Sequence, residues 1–542
     1  MPRLRCYHRP DSNRPPVLDT MTRMSNKREA VDWFTDGLRQ RGVEWVASLC
    51  GHGQDPLFDS FRRSGIRIVD VRNEQTAGYI AEGYGRLTRR PGVCTSSSGV
   101  AVANALTGVM NAWFDHAPML FVSGSANSDT LGMGCFQDSP HTAMSAPLTR
   151  YSRRIEHPAR AVQILDEAWR AALGCPHGPV HIDFPMDMQK AVVAEEDLVL
   201  PAPSAPPPGP NAGHIGQVAA ALRQSSRPLI IAGTETYYAG ESGDLMAFAE
   251  AFSIPVQTPI WDRGVCDDPS DAFTGIMGAF SGNAGIFHSS DCLIVSAPAD
   301  YRLGYLRTTA RTIPMGRGWR LLHERMVDTG ALPYRAWLAE ARGMQMAFRN
   351  AVLETGARQR MDGRIHAVDL VGALDQVLPA NGVLVIDGGS IGQWAHHLLT
   401  RNRYPAHWLT CGRSGVVGYG LGGAMAARLA YPDRAVVLLS GDGAFTFTAA
   451  EIECAVRQKL PFVAVVADDQ CWGITHSGHL RQFGEGIGTV LGPVRFDRLA
   501  ESLGARGRRV DRAEDIAPAV DAAIASGEVT VIHVPISGGN PA

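Results

Sequence analysis

The 542 residues are 45% hydrophobic and 19% charged, and 51 basic against 54 acidic side chains leave a net charge of −3. That balance excludes the basic surface of a nucleic-acid binder and offers nothing to an anionic membrane, and no apolar run approaches the roughly 20 residues that a bilayer-spanning helix needs. Ten cysteines lie scattered without a CxxC pair or other metal spacing, which predicts reduced thiols in a cytoplasmic protein.

Residues 1–26 carry arginines and prolines but no apolar segment. They read as a disordered extension rather than a secretory signal, with Met21 and Met24 as later candidate starts. A first domain is expected over 27–200. Ala30, Val31, Phe34 and Leu38 mark one helix face, and Gly42 is placed to end that helix. Val43–Leu49 then reads as a strand, with Cys50-Gly51-His52-Gly53 turning at its carboxyl end. A helix (Pro56–Arg63), a strand (Ile66–Val71) and a helix opening near Asn73-Glu74 follow. Alternation of this kind predicts a parallel, doubly wound α/β sheet.

Residues 201–212 form a proline-rich linker, extended and semi-rigid. A central α/β domain is expected over 213–345, with strands at Arg227–Gly233 and Cys292–Ser296 and with Arg302 packed inside it. It carries no strong nucleotide fingerprint. A helix-rich link at about 335–360 leads into a third α/β domain, 346–542. There a strand (Gly382–Ile386) runs into Asp387-Gly388-Gly389-Ser390, whose backbone amides and hydroxyl suit phosphate oxygens. Gly415–Gly423 imitates a dinucleotide fingerprint, but no buried strand precedes it, so that reading fails.

The most informative stretch is Gly441–Gly473. The apolar run Ala435–Leu439 reads as a buried parallel strand ending in Ser440-Gly441-Asp442-Gly443. A helical segment with Ala450, Ile452, Ala455 and Val456 follows, then a second buried strand, Phe462–Ala467, ending in Asp468-Asp469-Gln470-Cys471-Trp472-Gly473. In open α/β sheets ligands sit beyond the carboxyl ends of the strands, so Asp442 and Asp469 are expected at one rim. Two carboxylates beside glycine-exposed amides suit Mg²⁺ bridging a diphosphate. Neighbouring strand residues point to opposite faces, which turns Asp468 away from the metal.

This Gly-Asp-Gly motif with its spaced acidic pair resembles the thiamine-diphosphate (ThDP) motif, in the acetolactate synthase and benzaldehyde lyase branch. The resemblance runs over roughly residues 29–537 and includes Glu74–Arg86, Gly92–Gly99, Phe136-Gln137-Asp138 and Gly178–Pro185. It implies three doubly wound parallel α/β domains, two of them binding the pyrimidine and the diphosphate of ThDP. The implied Mg²⁺ ligands are Asp442, the side chain of Asp469 and the backbone carbonyl of Cys471. Gly441, Gly443, Ala444, Trp472, Gly473 and Ser390 would surround the diphosphate, and Val417 before Gly418 would wedge between the cofactor rings. Glu74 would contact N1′ of the aminopyrimidine, with Gln137 and His116 facing the cofactor. His52 stands where benzaldehyde lyase-like members carry a catalytic histidine, or is a plain turn residue.

Three departures stand out: Asp468-Asp469 for the usual Asn-Asn, Ser98-Gly99-Val100 for Gly-Pro-Gly, and a small wedge residue at 417. Some members bind FAD in the middle domain, which nothing here supports. The resemblance implies a homodimer or homotetramer acting on 2-oxo acids, aldehydes or 2-hydroxy ketones as a carboligase or lyase, through a C2 ylide and an enamine. The alternatives are a simple 2-oxo acid decarboxylase and a non-catalytic homologue.

Overall fold

The computed structural model describes residues 26–203, 209–262, 270–278, 282–296, 308–331, 333–361, 363–399 and 407–541. The expected extension, most of its length, the centre of the proline-rich linker and Arg302 lie outside them. Among the described residues no helix is long and apolar enough to cross a membrane.

Three parallel sheets carry the chain. The first holds β1 (Trp45–Ser48), β2 (Arg67–Asp70), β3 (Gly92–Ser96), β4 (Met119–Ser125), β5 (Tyr151–Arg154) and β6 (Pro179–Pro185). Their spatial order is β2-β1-β3-β4-β6-β5, every pair parallel. The central sheet orders β7 (Pro228–Ala232), β8 (Val256–Pro259), β9 (Phe273–Met277), β10 (Cys292–Ser296) and β11 (Arg311–Pro314) as β9-β8-β7-β10-β11. The third holds β12 (Ile365–His366), β13 (Val383–Asp387), β14 (Trp408–Thr410), β15 (Val436–Gly441), β16 (Val463–Asp468), β17 (Arg506–Arg509) and β18 (Thr530–Ser537). Its order is β12-β18-β16-β15-β13-β14, with β17 also beside β18. The expected doubly wound α/β architecture is therefore present three times. One continuous helix, Arg335–Gln359, forms the helix-rich link expected at about 335–360 and joins the central and third sheets across residue 345.

The central strands read as unbroken apolar runs because both faces are covered. Val436 to Leu439 and Val463 to Val466 are all essentially inaccessible. Apolar clusters lie on the two faces of the third sheet, and one of them is continuous with the first domain. The join is a helix pair, Glu74–Thr88 against Gly420–Ala430, held close by missing side chains. A Cβ on Gly422 would stand 2.7 Å from Tyr79 Cβ, and one on Gly83 would stand 2.9 Å from the Tyr419 hydroxyl. Arg86 pins this junction. Fully buried, it donates to the carbonyls of Thr410 (2.8 Å) and Trp261 (3.3 Å) and faces Glu82 at 3.4 Å and Asp115 at 3.7 Å. Burial raises the Glu82 carboxyl, and Arg86 opposes that.

Candidate active site

The carboxyl ends of β13, β15 and β16 form one corner of the third domain. Ser440 pairs in register with Val466, and Gly441 with Ala467, so the two chain exits lie side by side. Gly388 (φ +136°) passes so close to Gly441 that a Cβ would stand 2.7 Å from the Gly441 amide nitrogen. Only glycine leaves backbone amides uncovered in this way. Asp442 opens a short helix, Asp442–Phe447, with Gly443 and buried Ala444 in its first turn. The Trp472 ring lies over Gly443, 2.7 Å from where a Cβ would be.

Asp469 and Gly473 close the corner. A Cβ on Gly473 would stand 2.3 Å from Ser390 Oγ and 3.0 Å from Asp469 Oδ2. Ser390 starts the helix Ser390–Leu398, and its hydroxyl donates to Asn540 Oδ1 at 2.5 Å. The Cys471 amide donates to Asp469 Oδ1 at 3.3 Å, and Cys471 bridges to Val490. Burial pushes the Asp442 carboxyl well above the usual carboxylate range, and the Asp469 charge adds to that. Asp469 is also raised, first by burial.

Among the described residues no group of three or more His, Cys, Asp or Glu side chains forms a metal cage. Two carboxylates and a backbone carbonyl do not amount to one, and they match the way Mg²⁺ is held: few protein ligands, the rest from phosphate and water. Asp442 is buried among other acids, Asp468 included despite its expected turn away, with a backbone hydrogen bond from Gly443 and further glycines beside it. The donor set thus fits a hard divalent cation bridging a diphosphate.

The wedge loop is fixed from beneath. Asp387 is fully buried and accepts from the Gly420 amide at 2.7 Å. Burial pushes its carboxyl up to about 7, against the bonds from Gly420 and Gly418. Thr448 Oγ donates to the Gly418 carbonyl at 3.0 Å, and Val417 is left half-exposed at the tip. Sequence reading placed Asp387 in the phosphate loop but missed this role.

The first domain supplies a second rim. Asn73 caps the helix Glu74–Thr88, and Asn104 donates to Glu74 Oε2 at 2.7 Å. The exposed His52 ring meets Phe136 edge-on at 5.8 Å, and the His52 carbonyl accepts from the Ser98 amide. Gln137 (φ +59°) accepts from Ser98 Oγ at 3.3 Å, and Gly99 (φ +68°) fits beneath it, where a Cβ would stand 2.8 Å from Gln137 Cβ. The structure thus brings His52, Gln137 and the Ser98-Gly99 loop together.

His116 does not join them. It follows the helix Val100–Phe114 and precedes β4, so the full helix separates it from Gly99. It accepts from Arg150 at 3.2 Å, near the amino ends of the strands. The expected cofactor-facing place for His116 is corrected accordingly. Local sequence does not reveal which end of a helix faces the rim.

Sequence reading also missed a buried network under this rim. Asp183 is bonded to His141 Nδ1 (3.1 Å) and Arg154 Nε (2.6 Å), and His141 Nε2 accepts the Gly99 amide at 2.9 Å. Ser123 bridges to His181 at 2.9 Å. Burial pushes the His181 imidazole down to about 4. Alternation along β6 predicts inward residues but not what they bond.

Three family descriptions match the chain: "Thiamine pyrophosphate enzyme, N-terminal TPP binding domain" over residues 28–145, its central domain over 215–308, and its C-terminal TPP binding domain over 387–534. A "Probable acetolactate synthase" of Mycobacterium bovis is 30% identical over 531 residues, covering 92% of this chain and 94% of its own length. A "2-hydroxyacyl-CoA lyase 2" of Caenorhabditis elegans is 26% identical, covering 90% and 85%. "Acetolactate synthase isozyme 1 large subunit" of Escherichia coli is 25% identical, covering 88% of each.

Proposed function

Because the chain belongs to the thiamine pyrophosphate enzymes, in their acetolactate synthase-like branch, we propose that it makes or breaks a C–C bond next to a carbonyl, acting on 2-oxo acids, aldehydes or 2-hydroxy ketones. The observation that carries this reading is the corner of Asp442 and Asp469 beside Gly388, Gly441 and Gly443, where missing side chains let the backbone come close. Asp442, Asp469 and the Cys471 carbonyl would hold Mg²⁺, with Ser390 and Gly473 beside the diphosphate. Bound ThDP supplies a thiazolium that accepts the electron pair of the broken bond.

The chain's own residues do the rest. Glu74, oriented by Asn104, would hold a proton at N1′ of the aminopyrimidine. Val417 would support the cofactor from a loop braced by Asp387 and Thr448. His52 stands exposed beside the Ser98-Gly99 loop and Phe136, and would hand a proton to a substrate carbonyl oxygen.

A homodimer or homotetramer follows from this reading, with Glu74 serving a partner's metal corner. Large apolar side chains stand exposed on the first domain (Val100 74%, Met133 75%, Phe136 72%) and on the third (Phe447 58%, Phe483 53%, Val490 70%). Exposed apolar side chains of this size are in keeping with packing against another copy. The described cysteines are free thiols, in keeping with a reducing cytoplasm.

The test incubates the purified protein with ThDP, Mg²⁺ and a panel of 2-oxo acids and aldehydes, and reads products by mass spectrometry. Acyloins or cleaved hydroxy ketones support the proposal. Free aldehyde alone would make it a decarboxylase, and ThDP binding without turnover a binding homologue.

A further inference from the structure

Under the rim of the first domain, Ser123 of β4, Asp183 of β6 and Arg154 of β5 stand side by side in register, at or just below the carboxyl ends of their strands. Arg154 Nε donates to Asp183 Oδ2 at 2.6 Å, and Ser123 Oγ donates to Asp183 Oδ1 at 3.1 Å. His141 stands on this row. It is 1% exposed, and its Nδ1 meets the same Oδ1 at 3.1 Å. Its Nε2 faces the buried Gly99 amide at 2.9 Å.

That geometry settles what the ring does. A peptide N–H can only donate, so Nε2 keeps its lone pair and the ring proton sits on Nδ1, where the carboxylate accepts it. His141 thus ties a rigid row of strand residues to one amide of a loop. A loop of this kind needs such a hold, because Gly99 lies at φ +68° and no proline stiffens residues 97–103. From Gly99 the hold reaches the surface in one step. The neighbouring Ser98 amide donates to the His52 carbonyl at 3.2 Å, and Ser98 Oγ donates to Gln137 Oε1 at 3.3 Å. Gln137 also packs on Gly99, where an added Cβ would stand 2.8 Å from the Gln137 carbonyl oxygen.

We propose that His141 is a positioning residue for the reacting rim: by accepting the Gly99 amide it sets the Ser98-Gly99 loop, and through that loop the places of His52 and Gln137. This rests on reading the rim as the side of the ThDP site where substrate is handled.

Two substitutions divide the ring's bonds. His141→Gln keeps an acceptor near the place of Nε2 and loses the donor to Asp183, whereas His141→Asn keeps a donor near Nδ1 and leaves the Gly99 amide unpaired. Deuterium uptake by residues 97–102 is read by mass spectrometry on the full-length, cofactor-free chain. It should quicken about 10-fold in His141→Asn, the scale of one lost hydrogen bond, and stay within about threefold of the parent in His141→Gln. With ThDP, Mg²⁺ and a substrate drawn from the panel above, kcat should fall about 10- to 100-fold in His141→Asn and recover in His141→Gln. A residue that only fills the core would loosen the loop alike in both variants, and that result overturns the proposal. Parental uptake in His141→Asn overturns it too, as does a loosened loop with parental kcat. Should His141→Asn not fold, parental uptake and turnover in a folded His141→Gln support the Gly99 bond, and two unfolded variants overturn it. A parent chain that turns over no substrate overturns the functional reading together with this one, whereas an active parent with an indifferent His141→Asn overturns this inference alone.

Discussion

In the first domain Asp183 lies buried with His141, Arg154 and His181 around it, whereas in the third domain Asp442 lies buried with Asp469 and Asp468 as its electrostatic neighbours. Burial raises both carboxyls. For Asp183 the surrounding cationic and ring N–H groups more than reverse that, holding it well below the usual range. For Asp442 the neighbouring acids push the same way as burial. The acid of the first domain is compensated within the chain, and the acid of the third is not, which is what the proposed cation and diphosphate would require of it.

The sharpest way to break this contrast is to neutralise each acid in the cofactor-free chain. Asp183→Asn should destabilise it by about 3–5 kcal/mol, because a buried ion pair then loses one partner. Asp442→Asn should not lower the melting temperature, since it relieves repulsion. Equal losses in both variants, read by thermal melts, would erase the distinction.

Turnover comes next. Glu74 belongs to the first domain and the proposed metal site to the third, so Glu74→Gln should cut the rate about 10³-fold while ThDP affinity holds, as for loss of a proton-transfer group. Near-parental activity would remove Glu74 from that role.

Sequence pattern reached most of the fold because buried parallel strands leave unbroken apolar runs: Cys292–Ser296 is a strand in its entirety, and Val463–Asp468 lies within one residue of its expected end. The meeting of the Asp442 and Asp469 strand ends at one corner was legible for the same reason, since strand ends fix a rim. His116 was not, because its position depends on which end of a helix faces that rim. Asp387, His533 and Asn540 were not legible either. Their partners, Gly420, Asp468 and Ser390, are 33, 65 and 150 positions away in the chain. Such pairings arise only when sheets close.

Asp387 gives a pH signature. An Asp carboxyl raised from 3.8 to about 7 on folding binds more protons folded than unfolded in that window. Stability therefore falls as pH rises from about 4 through about 7, by on the order of 3 kcal/mol. In Asp387→Asn the side-chain oxygen still accepts from Gly420, and this fall should vanish from urea melts taken across the window. A fall of undiminished size would assign it to another buried acid, such as Asp262, also raised to about 7 by burial.

The smallest effect is expected at Asp469, where this chain differs from the commoner asparagine. Asp469→Asn keeps one oxygen for the cation and removes one negative charge from a corner that also takes a diphosphate. Those consequences oppose each other: the ligand weakens while repulsion with Asp442 falls. The net change in ThDP–Mg²⁺ affinity should stay within about threefold, because an amide oxygen is still a hard ligand for Mg²⁺. Asp469→Ala removes the oxygen and gains only the relief of charge, so its affinity should fall about 100-fold. Calorimetry on the pair separates ligation from charge. Similar large losses in both variants would mean that the negative charge itself is required, and the corner of the third domain would then resemble Asp183 in the first in needing its acid ionised.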